Sequence, residues 1–257
     1  MDYQQILFEP SDELVRITLN RPDKRNALSF ELMTELLDAF RAAGATKSLG
    51  VLLAANGPVF SAGHDFADMA GRDLAGMRAL LARCNELMRE VQAIPQPVLA
   101  RVQGTATAAG CQLVATCDLA VAAENAKFAT PGGKGGWFCT TPMVAVSRAV
   151  GRKRALELLM TGDAIDAREA LDWGLVNQVV AEAELESASL ELLRRATRGS
   201  PLAKGIGKQA YYAQIDMDQP KAYAYALEVM AASALTDDGQ EQMSAFLEKR
   251  RPVFKGS

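Results

Sequence analysis

The sequence predicts an α/β protein with an all-helical C-terminal third. Three observations carry that prediction. Short apolar runs alternate with helical patterns over the first 180 residues, several of those runs are apolar on both faces, and from Ala181 onward every segment has helical periodicity. At 257 residues, 49% hydrophobic and 23% charged, the chain has apolar material for a large core and too much of it for disorder. The expected division is residues 1–180 for the β/α core and 181–257 for the helical region.

Residues 14–19 alternate, with Val15, Ile17 and Leu19 on one face and Arg16 and Thr18 on the other, as in a half-buried strand. A helix is predicted over residues 30–43: Ser29 is suited to cap it, Leu28 and Met33 are spaced as a hydrophobic staple, and Gly44 is suited to stop it. Its apolar stripe is Leu32, Met33, Leu36, Leu37 and Phe40. Residues 50–55, 98–103 and 119–123 predict strands buried on both faces. Between them the pattern gives a long helix over 74–93, ended by Pro95 and Pro97, and a shorter one from about 107 to 116. A last strand is expected at 176–180, then helices over 182–198, 201–212, 220–235 and 238–250. Gly199-Ser200-Pro201 and Gln219-Pro220 punctuate this helical region, and no internal repeat is visible.

Composition excludes several function classes. Lys plus Arg number 28 against 31 Asp plus Glu, a net charge of −3, which argues against a nucleic-acid binder relying on a global positive field. The longest uncharged stretch, residues 102–117, is too short and too rich in Thr and Gln to span a bilayer. Asp2, Glu9, Asp12 and Glu13 make the N-terminus unlike a targeting leader. Cys84, Cys111, Cys117 and Cys139 form no CxxC pair, and a single histidine leaves little for a zinc site or a Ser-His-Asp triad. The expectation is a reduced, cytoplasmic, metal-free protein with no nucleic-acid or membrane partner.

Gly132-Gly133-Lys134-Gly135-Gly136 is not a phosphate loop, because Lys134 is followed by Gly135 rather than Ser or Thr, and Trp137-Phe138 breaks the dinucleotide fingerprint. It predicts a tight loop. His64 beside Asp65 is a candidate base, although a lone His next to an Asp is more often a local hydrogen-bonded feature. Two small-residue turns are more informative together. Ser61-Ala62-Gly63 and the stretch 104–110 each follow a strand and precede a helix, so backbone N–H groups from both could converge on one oxygen.

These residues also carry a resemblance. The run Leu19-Asn20-Arg21-Pro22-Asp23-Lys24-Arg25-Asn26-Ala27-Leu28-Ser29 resembles the N-terminal signature of the crotonase superfamily, the enoyl-CoA hydratases and isomerases. Phe60-Ser61-Ala62-Gly63-His64-Asp65 and the segment from Val102 through Gly110-Cys111-Gln112-Leu113 to Asp118 resemble its two oxyanion-hole segments, and residues 167–180 its approach to the C-terminal helices. The resemblance implies a spiral of ββα turns, C-terminal helices that build homotrimers or hexamers, and a coenzyme A thioester as substrate with no permanently bound cofactor. It places Ala62 and Ala109 N–H around the thioester carbonyl, and Lys24, Arg25 and Ala27, with Gly63, His64 and Asp65, along the coenzyme A. Phe246 and Lys249 would complete that site across a subunit boundary.

The sequence then departs from the superfamily. Its two catalytic glutamates would fall at Gln112 and Gly132, so both carboxylates are absent. A glutamine amide cannot carry a proton at neutral pH. The loop around Gly132 resembles a divergent branch of the superfamily with the same losses. Cys139 and Thr140 are the candidate substitutes, with His64, Asp65, Asp68 and Thr141 beside them. Three readings stay open: an acyl-CoA enzyme of the hydratase/isomerase class using other groups, a non-catalytic acyl-CoA binder, and a structural subunit. Restoring glutamate at 112 and 132 is expected to raise hydration of crotonyl-CoA.

Overall fold

The computed structural model describes residues 3–257. Strands β1 (Ile6–Pro10) and β2 (Leu14–Leu19) pair antiparallel, with Ile6 opposite Leu19. Helix α1 (Phe30–Gly44) starts where the Ser29 hydroxyl accepts the Leu32 N–H at 3.2 Å, and it buries the predicted stripe. It runs through Gly44 and ends one residue later.

The next elements repeat a pattern in which a long strand is followed by a short one and a helix. β3 (Gly50–Ala55) leads to β4 (Val59–Ser61), the single turn α2 (Phe66–Met69) and the long α3 (Leu74–Ala93). β5 (Val98–Val102) leads to β6 (Thr105–Thr107) and α4 (Ala109–Thr116). β7 (Leu119–Ala123) leads to β8 (Lys127–Ala129), then α5 (Pro142–Val150) and α6 (Arg152–Thr161). After β9 (Ile165–Asp166), α7 (Ala167–Trp173) and β10 (Gln178–Val180), the chain is helical: α8 (Leu185–Ala196), α9 (Pro201–Gln214), α10 (Gln219–Ser233) and α11 (Asp237–Leu247).

The two strands of each repeat go to different sheets. A six-stranded sheet has the order β1-β2-β3-β5-β7-β10, parallel except for β1, with the three-residue β10 at its edge; the short strands build β4-β6-β8-β9, with β9 antiparallel. The missing alternation in β3, β5 and β7 has a direct cause. Val51, Leu53, Val98, Ala100, Ala120 and Ala122 enter the main core with α1 and α3, whereas Leu52, Leu99, Val121 and Ala123 face the other way onto Leu185 and Leu193 of α8. Both faces are covered, so both must be apolar.

The predicted helix over 107–116 begins at Ala109 instead, because residues 105–107 are held in β6 between β4 and β8. The strand expected at 176–180 is confined to its last three residues. Among the described residues no helix is long and apolar enough to cross a membrane, no cluster of metal-binding side chains is present, and all four cysteines are free.

Candidate active site

β4, β6 and β8 lie side by side and parallel, so the segments leaving their carboxyl ends, around residues 62–65, 108–109 and 130–132, meet at one edge of the small sheet. Gly63 makes the first meeting possible. At its φ of +89°, a Cβ would sit 2.8 Å from the Ala108 Cβ and 3.2 Å from the Ala109 nitrogen, a conformation and a closeness that only glycine tolerates. Ala108 itself holds φ 50°, ψ −117°, a sparsely populated region for a residue with a Cβ, and its N–H donates to the Ala129 carbonyl at 2.8 Å.

The loop before α1 fixes which amides stay free. Asn26 is buried and clamps this loop to the strand preceding the site: its side chain donates to the Asn56 and Val59 carbonyls and accepts from the Arg21 N–H. The clamp presents the Arg25 carbonyl to Ala62, whose N–H donates to it at 3.0 Å. The expectation that Ala62 supplies an oxyanion donor is therefore corrected, since its proton is already held within the fold. Leu28 bridges the next residues, donating to the Gly63 carbonyl at 2.7 Å and accepting from the Asp65 N–H at 3.1 Å. In such a parallel bridge the N–H of His64 points to the opposite side. Among the described residues, neither the His64 N–H nor the Ala109 N–H meets a protein acceptor.

Those two amides border a cavity of about 470 Å³. Its walls are Ala62, His64, Phe66, Leu81, Ala108 and Ala109 on one side and Pro131, Gly132 and residues 135–142 on the other. His64 is 8% exposed, its ring centroid lies 6.4 Å from that of Trp137, and neither ring nitrogen meets a partner at hydrogen-bond geometry, although the Leu28 backbone lies against the ring. Burial pulls its pKa below the ordinary value, with the Leu28 backbone and the Asp68 charge only partly opposing it, so the imidazole is neutral at neutral pH.

The other candidates divide. Cys139, Thr140 and Thr141 line the cavity. Burial pushes the Cys139 thiol up, with the Gly132 backbone only partly opposing it, so the sulfur stays protonated and is a poor nucleophile. Gln112 is 3% exposed, lies one helical turn beyond the lining, and leaves its Oε1 without a partner. Gly132 lines the wall, but a Cβ there would stand 2.2 Å from the Trp137 carbonyl oxygen and 2.9 Å from the Cys139 sulfur. Asp65 and Asp68 are not part of the lining. Asp65 pairs with Arg21 at 3.2 Å and caps α2 through the Ala67 N–H. Asp68 accepts the Phe30 N–H at 2.8 Å and pairs with Arg72; burial works to raise its pKa, but these partners hold it below the usual carboxylate range.

Lys24 and Arg25 are exposed on the clamped loop, with Ala27 half-buried beside them. Phe246, at the end of α11, is exposed, and both it and Lys249 lie outside this cavity, so a single chain does not bring them to the site. Sequence reasoning missed Phe66, Leu81 and Trp137 as walls, because a wall assembled from three distant segments leaves no local pattern. Asn26 was visible only as one letter of a motif.

The enoyl-CoA hydratase/isomerase family profile matches residues 9–257. The chain belongs to that family. It is 43% identical over 255 residues to the enoyl-CoA hydratase domain-containing protein 3, mitochondrial, of Danio rerio, covering 98% of this chain and 88% of that one. An enoyl-CoA hydratase structure from Mycobacterium smegmatis superposes with a TM-score of 0.94 at 43% identity, covering 97% of this chain and 98% of that one. The structure of human enoyl-CoA hydratase domain-containing protein 3 gives 0.93 at 39%, covering 97% and 100%. The fold is thus the crotonase fold, as the resemblance implied. The cytoplasmic expectation is corrected: the Danio rerio and Homo sapiens relatives are named mitochondrial. Free thiols and a weakly acidic charge do not distinguish one reducing compartment from another.

Proposed function

We propose that this family member binds an acyl-CoA thioester with its carbonyl oxygen between the His64 and Ala109 amides, and that it uses the polarised thioester for a reaction other than hydration. The observation that carries this reading is the pair of acceptor-free N–H groups bordering a largely apolar cavity. Each donor of such a pair contributes on the order of 3 kcal/mol to a developing oxyanion. Hydration requires in addition a positioned base and acid, each worth about 10² to 10⁴-fold. Gln112 and Gly132 supply neither. Coenzyme A enters as part of the substrate and leaves with the product, its nucleotide end resting on the loop of Lys24, Arg25 and Ala27, with Phe246 and Lys249 arriving from another copy of the chain in a homotrimer or hexamer.

The test is incubation of purified protein with a panel of acyl-CoA thioesters in heavy water, read by mass spectrometry and paired with a binding measurement. A catalysed mass change, through hydrolysis, isomerisation or exchange beside the carbonyl, is the expected result. Failure to bind any acyl-CoA defeats the proposal. Binding with every thioester unchanged selects the second reading, a non-catalytic acyl-CoA binder, which the protonated Cys139 and the side-chain-free Gly132 favour.

A further inference from the structure

The acyl-CoA reading assigns the backbone of His64 and leaves its side chain without a purpose. His64 is 8% exposed and belongs to the cavity wall, and although the Leu28 backbone lies against its ring, neither ring nitrogen meets a partner at hydrogen-bond geometry among the described residues. Buried polar groups without partners are rare because they are costly, so an unpaired imidazole in a ligand cavity marks a group that pairs with what binds there.

The cavity offers no better proton carrier. Of the residues lining it, only His64 and Cys139 can titrate, and the Cys139 thiol is held protonated by burial. The hydroxyls of Thr140 and Thr141 and the indole N–H of Trp137 are not bases at neutral pH. The nearby carboxylates are engaged elsewhere, Asp65 with Arg21 and Asp68 with Arg72 and the Phe30 amide. His64 is also the one histidine in the chain. Its neutral state at working pH is the form that accepts a proton.

We propose that the His64 imidazole is the acid–base group of this cavity and exchanges the proton on the carbon next to the thioester carbonyl. The inference rests on the acyl-CoA reading. A ring nitrogen takes the proton, the C–H bond breaks, and its electron pair passes through the carbonyl carbon to the oxygen, where the His64 and Ala109 amides hold the charge. The imidazolium returns a proton to the same carbon, or a deuteron after exchange with heavy water. No oxidant or co-reactant is needed. With a 3-enoyl chain, return of the proton to the far end of the enolate moves the double bond into conjugation, giving isomerisation without hydration.

The experiment follows deuterium uptake by butyryl-CoA in heavy water, by mass spectrometry, for the parent, His64→Gln and His64→Ala, with butyryl-CoA affinity measured by calorimetry on the same samples. The parent is expected to exchange both protons beside the carbonyl. The variants are expected to lose about 10²-fold or more in rate while keeping affinity within a few-fold, because substitution leaves the amide of residue 64 in place. The parent rate should fall as pH drops through the lowered His64 pKa and stay flat above 6.5, because Asp68 on α2, whose charge acts on the ring, is held below the usual carboxylate range and burial holds the Cys139 thiol on the facing loop up, while Asp65 is ion-paired with Arg21. A parent that binds butyryl-CoA without exchange, or folded variants that exchange at the parent rate, would overturn the assignment of His64 and leave the acyl-CoA reading standing. Absence of binding would defeat both.

Discussion

Gly132 occupies the position of a lost glutamate, and the surrounding loop has closed over the space a side chain would need. A Cβ would contact the Trp137 carbonyl oxygen and the Cys139 nitrogen and sulfur, and two of these are backbone atoms that yield only by moving the loop. The expectation that glutamates at 112 and 132 restore hydration is revised accordingly: Gly132→Ala should already cost about 1–3 kcal/mol in urea unfolding, and Gln112→Glu with Gly132→Glu should show no gain in crotonyl-CoA hydration. Ala108 predicts the opposite sign. Its φ of 50° strains a residue with a Cβ, so Ala108→Gly should raise stability by about 1 kcal/mol, read as a higher urea midpoint at unchanged slope. His64 sets a pH dependence. Its folded pKa lies below the unfolded value near 6.5, so acidification through 6.5 protonates the unfolded chain first and stability falls until the folded pKa is passed. Thermal melts between pH 7.5 and 5 should show this loss in the parent, and His64→Gln should remove that component. The absence of both glutamates is plain in the sequence. Which amide remains free is not, because it depends on Arg25, far away in the chain, reaching back to Ala62.

Among elements, legibility followed length and burial. α1, α3, β3, β5 and β7 were readable because each carries a sustained apolar pattern, and Ser29 marked a helix start that its hydroxyl indeed caps. β4, β6 and β8 span three residues each, too few for any period to show, and yet they bring the site together. α5 and α6 were missed for a different reason: α5 follows the glycine-rich loop closely, and Gly151 joins it to α6 with φ +79° and no side-chain cap. The seating of α9 was equally invisible, since it depends on one lysine. Lys208 reaches Asp118 at 2.7 Å and the Val91 and Gln96 carbonyls at 2.8 and 2.9 Å, while Tyr212 donates to the other Asp118 oxygen at 2.8 Å. Both charges are mostly shielded from solvent, so removing one leaves the other buried without its partner. Lys208→Ala should cost about 3–5 kcal/mol in equilibrium unfolding, whereas Tyr212→Phe, which removes one hydrogen bond, should cost about 1 kcal/mol.

For the molecule as a whole, the helical C-terminal region poses a packing question that one chain does not answer. No residue of α10 is buried, although it is rich in apolar side chains. Tyr223, Leu227 and Met230 are 71%, 62% and 77% exposed at spacings of four and three, which puts them on a single helical face. Leu235 and, on α11, Phe246 and Leu247 extend the exposed apolar surface. Burying each such side chain stabilises by about 1.5–3 kcal/mol, so leaving all of them in water would forgo several kcal/mol and invite aggregation. Closed association of identical chains covers such a face without creating open fibres, and it would also carry Phe246 and Lys249 toward a neighbouring cavity that their own chain does not let them reach. For the homotrimer or hexamer proposed above, light scattering should give a particle of three or six times 27.6 kDa. Leu227→Lys with Met230→Lys, which places two charges on the face while touching nothing in the monomer core, should shift that mass toward a single chain and weaken acyl-CoA binding in step with dissociation. A folded double variant that keeps the parent mass would show that the assembly does not form through this face of α10.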